Sequence, residues 1–251
     1  MAKLGTLEWV EKKHGKLGLR DKLALVAQGV RARAATKERL KDNVKFRHTE
    51  VDDILPPDSA VAREAMAMCQ EASAPYLFHH CLRAYYWARL LDDGSKSFDD
   101  EAVFVAIMLH DMGLTDGHRL NGGKQQCFTI VGARMAQELA RKHEWTERRA
   151  GMAANAITLH LNVIVDPHHG REAELVRAGS GADVAGLGID VLYTEQIQSV
   201  CDKHPRGEFK ACVLGALGIE ATERPGSRVA FMNKSLGFDK LVAGTTAFGD
   251  C

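Results

Sequence analysis

The 251-residue chain reads as an all-α protein, and three observations predict it. Ala, Leu, Glu, Arg and Met are plentiful and only six prolines occur, a composition that favours helix. Apolar residues recur at three- and four-residue spacings in one segment after another. No stretch of any length alternates apolar and polar residues as a half-buried strand does. The length suits one sizeable core, and no internal repeat or low-complexity segment interrupts it.

The elements follow in order. Residues 1–20 are expected to form an irregular arm docked through Leu4, Leu7, Trp9 and Val10. Arg20 to Asp42 favours helix, with Leu23, Leu25, Val26 and Val30 as a buried stripe and its basic residues as a solvated face. Pro56-Pro57 breaks the chain, separating an N-terminal arm and helix, 1–57, from the main domain, 58–251. Asp58 or Ser59 can cap a helix running to about Ala72. Pro75 then opens PYLFHHCLRAYYWARLL, whose apolar face holds Leu77, Cys81, Ala84 and, among them, His80. Asp99 or Asp100 caps the central apolar run AVFVAIMLHDM, which ends on adjacent His110 and Asp111 and is stopped by Gly113. Leu114 to Gln126 is a loop. Cys127 to Arg141 and Thr146 to Leu161 are amphipathic, and the second ends with His160 after an apolar run. Glu172 to Gly186 places Asp183 among small residues. Thr194 to His204, Phe209 to Thr222 and a Gly-rich tail complete the chain.

Charge narrows the range of partners. The 33 basic and 33 acidic residues cancel, which argues against nucleic-acid binding, where a net basic face is needed. Six scattered cysteines without a CxxC pair imply free thiols in a reducing cytoplasm rather than disulfides or a zinc knuckle. No run approaches the ~20 apolar residues of a membrane span, and the N-terminus lacks the apolar region of a signal peptide. The expected partner is a small molecule, with no membrane or nucleic acid. An exposed apolar face on the N-terminal arm would signal a homo-oligomer.

His80, the His110-Asp111 pair and Asp183 share an odd placement, each on or at the end of an apolar or small-residue segment. Buried ionisable groups are costly unless paired or bound to a cation. The bland alternative is a His110 and Asp111 that hydrogen-bond each other or cap the helix end, beside a His80 that is simply a hydrogen-bonded core residue. Two imidazoles and two carboxylates form a mixed N/O set suited to Zn²⁺, Fe²⁺, Mn²⁺ or Co²⁺. Four such ligands on an octahedral ion leave positions for water and substrate.

The order H…HD…D on successive helices resembles the HD-domain superfamily of metal-dependent hydrolases. The segments FHHCLRAYYWA, MLHDMGLTD, CFTIVGA, AITLHLN and AGSGADVAG, spanning roughly Ser73 to Gly188, resemble its cyanamide-hydratase-like branch. That resemblance implies a single HD-domain-like helical bundle with an N-terminal helical extension. It implies one divalent transition metal, zinc foremost, held by His80, His110, Asp111 and Asp183. Thr115 and Asp116 match the TD of the branch and, with His160, are the expected catalytic residues. Phe128 and Thr129 of CFTIVGA are expected substrate contacts, as are Arg119 and Lys124 from their place in the loop after the dyad. The branch commonly carries glutamate where this chain has Thr129. The implied activity is hydration or hydrolysis of a small molecule, with a nitrile such as cyanamide as the model substrate. The alternative is a phosphohydrolase acting on a nucleotide or small phosphoester, with Arg83, Arg119 or Lys124 as cationic donors. A dinuclear-iron oxygenase using His118, His143 or His160, and a non-enzymatic scaffold, complete the alternatives.

Overall fold

The computed structural model describes residues 2–121, 123 and 126–249; Lys124, a substrate-contact candidate, lies outside them. Every regular element among the described residues is helical, as composition and periodicity predict.

The arm is more ordered than expected. Helix α1 (Leu7–Lys13) starts where Thr6 Oγ1 accepts the Trp9 amide, and it buries Trp9 and Val10 completely. Helix α2 (Leu19–Asp42) is about 36 Å long at 1.5 Å per residue, yet its buried residues are Asp21 and Leu25 alone. The expected stripe is therefore wrong in three of its four positions: Leu23, Val26 and Val30 are 61%, 40% and 62% exposed. At 100° per residue these three share one face while Leu25 lies on the other side, and the domain takes the side of Leu25. Arg39 grips Asp190 through two hydrogen bonds of 2.7 and 2.8 Å, so Asp190 anchors α2.

The main body obeys its sequence signals closely. Ser59 caps α3 (Ala60–Ala72), Pro75 starts α4 (Pro75–Leu90), and Asp99 caps α5 (Asp100–Leu109) by accepting the Ala102 amide at 3.0 Å. Helix α5 is buried from Ala102 to Leu109. Each aliphatic side chain buried there contributes roughly 1.5–3 kcal/mol. Around it pack α3, α4, α6 (Thr129–Lys142), α7 (Glu147–Leu159) and α8 (Arg171–Ala185). Thr146 caps α7 as its sequence suggests. Two glycines permit the tightest approaches. A Cβ on Gly132 of α6 would stand 1.9 Å from the Leu109 carbonyl, and one on Gly179 of α8 would stand 2.1 Å from that of Ala84. The C-terminal end of α5 is thereby drawn against α6, and the middle of α4 against α8.

Helices α9 (Thr194–Lys203), α10 (Phe209–Glu223), α11 (Arg228–Phe231) and α12 (Phe238–Gly244) close one side, with a π-turn at Met232–Leu236 after α11. Phe209 and Phe248 of this segment are buried against the core. No helix among the described residues is long and apolar enough to cross a membrane.

Candidate metal centre

The last turn of α5 delivers His110 and Asp111 into the core. His110 keeps helical angles and Asp111 turns to φ −104°, ψ 10°, so that the two side chains close on a common point. Gly113 follows because a Cβ there would strike the Phe128 carbonyl at 2.2 Å. From α4, His80 enters the same point, its ring stacked on Phe209 with centroids 5.0 Å apart. His80, His110 and Asp111 are all buried.

Hydrogen bonding fixes the protons. His110 Nδ1 lies 2.6 Å from the Ile107 carbonyl, which can only accept, so Nδ1 carries the hydrogen. His80 Nδ1 donates to Asp183 Oδ2 at 2.8 Å by the same logic. Both Nε2 atoms are consequently bare in the neutral rings, and they face each other at 3.1 Å. Asp111 Oδ2 completes the triangle, 3.3 Å from His110 Nε2 and 3.5 Å from His80 Nε2. Three lone pairs converge with no donor among them, which is unfavourable without a cation at their centre. The titration directions agree. Burial opposes a charged His80, but hydrogen bonds to Asp111 and Asp183 outweigh it and raise its proton affinity. Burial likewise opposes an ionised Asp111, yet His110 and His80 hold its carboxyl well below the ordinary range. The corner demands positive charge, and these residues fit a divalent metal. Among the described residues, His80, His110 and Asp111 are the group that converges in this way.

Residues 77–196 match the HD domain family model, a span that begins three residues before His80 and contains His110, Asp111 and Asp183. The chain carries an HD domain. Among curated proteins, none matches the chain. HD domains are mostly metal-dependent hydrolases, in keeping with the imidazole–carboxylate corner.

Within the HD domain, Asp183 stands elsewhere than at the ligand position expected of it. Its Oδ1 accepts from Arg83 Nε, Trp87 Nε1 and Arg206 Nη1 at 2.8, 2.9 and 2.8 Å. Its Oδ2 accepts from His80 Nδ1 and Arg83 Nη2 at 2.8 and 2.9 Å. Five donors saturate a carboxylate, leaving no lone pair for an ion. Asp183 instead orients His80 and fixes which nitrogen faces the corner, the outer-carboxylate arrangement common around metal-bound histidines. Burial opposes its charge, but Arg83, His80 and Arg206 overcome that and depress its pKa strongly. Arg83 and Trp87 follow His80 by three and seven residues, one face of one helix. Nothing in the sequence flagged Arg206, which arrives from the turn after α9.

The other expected site residues divide into those near the HD centre and those away from it. His160 is brought close: Nδ1 donates to the Ile157 carbonyl at 2.7 Å, and Nε2 lies 3.7 Å from Asp111 Oδ1. Burial, then the nearby His110, push its pKa down to about 3. Phe128 packs against His160 with centroids 5.9 Å apart. Thr129 is fully buried and spends its hydroxyl on Cys127 Sγ at 3.0 Å. Thr115 is buried but closes its own turn, donating to the Met112 carbonyl and meeting His118 Nδ1. Asp116 has a side chain 99% exposed, paired with Arg119 Nη2 at 2.9 Å, so it stands in solvent rather than beside the corner. Arg119 is shared between Asp116 and Glu223. His143 bonds Glu64 at 2.8 Å and His118 bonds Thr115, so neither joins the three convergent residues.

Proposed function

We propose that the HD centre binds one divalent transition metal, zinc foremost, and catalyses addition of water to a small uncharged electrophile, a nitrile such as cyanamide being the model substrate. The observation that carries this reading is the enclosed triangle of His80 Nε2, His110 Nε2 and Asp111 Oδ2. A divalent ion held there supplies Lewis acidity and makes water beside it a stronger acid.

The chain's own groups do the rest. Asp183 holds the proton on His80 Nδ1 and so keeps Nε2 aimed inward. His160 Nε2 is unprotonated at any pH well above 3 and lies 3.7 Å from Asp111 Oδ1, placed to accept a hydrogen bond from water or substrate beside the corner. Phe128, Phe209 and the buried rings exclude bulk water and limit substrate size.

Phosphoester hydrolysis is the weaker reading because a phosphate needs uncommitted cations. Among the described residues, Arg83 and Arg206 are bound to Asp183, Arg119 to Asp116 and Glu223, and Arg224 to Glu220, while Lys124 lies outside them. Thr129 in place of glutamate leaves that wall uncharged, which suits a neutral substrate differing from cyanamide in shape. The test is turnover by zinc-loaded protein on cyanamide, small aliphatic nitriles and nucleoside monophosphates. Amide formation from nitriles, lost in Asp111→Ala and slowed in His160→Ala, is expected; phosphate release from the monophosphates instead would overturn the hydratase reading.

A further inference from the structure

We infer that the outward face of α2 docks on an anionic lipid bilayer surface. The solvated-face reading expected from the sequence explains the cations of α2 but not the aliphatic side chains between them. Leu19, Leu23, Val26 and Val30 are 75%, 61%, 40% and 62% exposed. Their spacing of four, three and four residues places them on one stripe down three turns.

The charges beside this stripe decide what covers it. Arg20 and Arg31 flank it on one side, and Lys22 and Arg33 on the other, all four exposed. The acidic residue in this part of the helix, Asp21, is turned inward, accepting from Trp9 Nε1 and the Gly18 amide at 3.3 and 2.9 Å. None of the four cations forms an ion pair with a carboxylate among the described residues. Arg31 reaches the carbonyl of Ala27 and Arg33 that of Leu236, while Lys22 lies over the Phe231 ring. Elsewhere on the surface, arginines such as Arg63, Arg141 and Arg149 are paired. The whole chain is neutral, so this excess is local.

Three occupants fit an exposed apolar stripe less or more well. A second copy seated on this stretch would bring the same four cations against these, a like-charge interface with no outward acid between Leu19 and Arg33 to relieve it. Nucleic acid would take the cations but leave Leu19, Leu23, Val26 and Val30 without a partner. An anionic bilayer satisfies both, since aliphatic side chains enter the headgroup boundary while Lys and Arg stems reach up to the phosphates. Because α2 buries little against its own domain, its long side is free to lie flat.

The experiment is co-sedimentation of the full chain with vesicles of phosphatidylcholine alone or with roughly one-third phosphatidylserine, at low and high salt. Binding is expected for the anionic vesicles, weakening as salt rises. Arg31→Glu with Arg33→Glu should lower partitioning by about tenfold or more. Leu23→Asp with Val30→Asp should abolish it while helicity and melting stay at wild-type values, since both side chains stand in solvent. Failure to sediment with anionic vesicles at low salt overturns the inference. So does a concentration-dependent dimer, seen by light scattering, that Leu23→Asp with Val30→Asp dissolves, because the stripe then belongs to a second copy.

Discussion

Replacing Asp183 by asparagine separates a residue that orients a ligand from a ligand itself. The change keeps shape and removes one charge, leaving the Arg83 and Arg206 guanidinium groups buried around a neutral amide. Breaking a buried ion pair by removing one partner costs about 3–5 kcal/mol. For a chain of this length each kcal/mol lowers the melting temperature by about 2–4 °C, so a fall of about 6–20 °C is expected in metal-free protein. Metal affinity should fall by about 10- to 100-fold, as for loss of an outer partner of a metal-bound histidine, without vanishing. Asp111→Asn should differ in metal uptake, with near-complete loss of metal. The assays are thermal denaturation followed by circular dichroism and competition against a chromophoric chelator. pH gives a further check. Asp183 has a depressed folded pKa, so its contribution is present above the ordinary carboxylate value and is lost as pH falls toward the folded value. The gap between wild type and Asp183→Asn should therefore narrow in acid. An Asp183→Asn protein that melts like wild type yet takes up no metal would refute the reasoning, and would return Asp183 to the coordination sphere.

Further outcomes follow from the same geometry. His160 is held neutral with a pKa near 3 against an ordinary 6.5, so the unfolded chain binds the extra proton and stability should fall as pH drops through that interval. Urea titrations in chelator at neutral and acidic pH should show a steeper acid loss for wild type than for His160→Gln. Gly132→Ala should destabilise by about 1–3 kcal/mol, because its Cβ collides with the Leu109 carbonyl; calorimetry together with metal stoichiometry measures both the strain and its effect on His110. Zinc at about 100 times its dissociation constant should stabilise the protein by about 2.7 kcal/mol, a gain that chelator reverses and Asp111→Ala never shows.

Much of the fold was legible because local chemistry and tertiary structure agree. Ser59, Pro75, Asp99 and Thr146 start helices where capping rules place them. His80, His110 and Asp111 could be picked out because an ionisable group on an apolar face needs an explanation that packing does not provide. Other features depend on partners that no local pattern announces. Which side of α2 meets the domain is decided by Trp9, Asp21 and Asp190, so no local pattern tells that Leu25 faces inward while Leu23, Val26 and Val30 face out. The position of Asp183 depends on Arg206, which comes 23 residues later and fills the last acceptor site of the carboxylate. Asp116 follows the dyad by five residues, yet the turn from Met112 to Leu114 carries it out to solvent.

Arg206 and Phe209 both lie beyond the span 77–196 that matches the family model, yet one neutralises Asp183 and the other covers the His80 ring. The order of synthesis then matters. A nascent chain that has emerged only through α9 holds both histidines and both aspartates, but one guanidinium must serve Asp183 alone and one face of His80 is bare. The metal corner is finished from the carboxyl-terminal side, so a fragment trimmed to the matched span would lack the pieces that keep His80 dry and aligned.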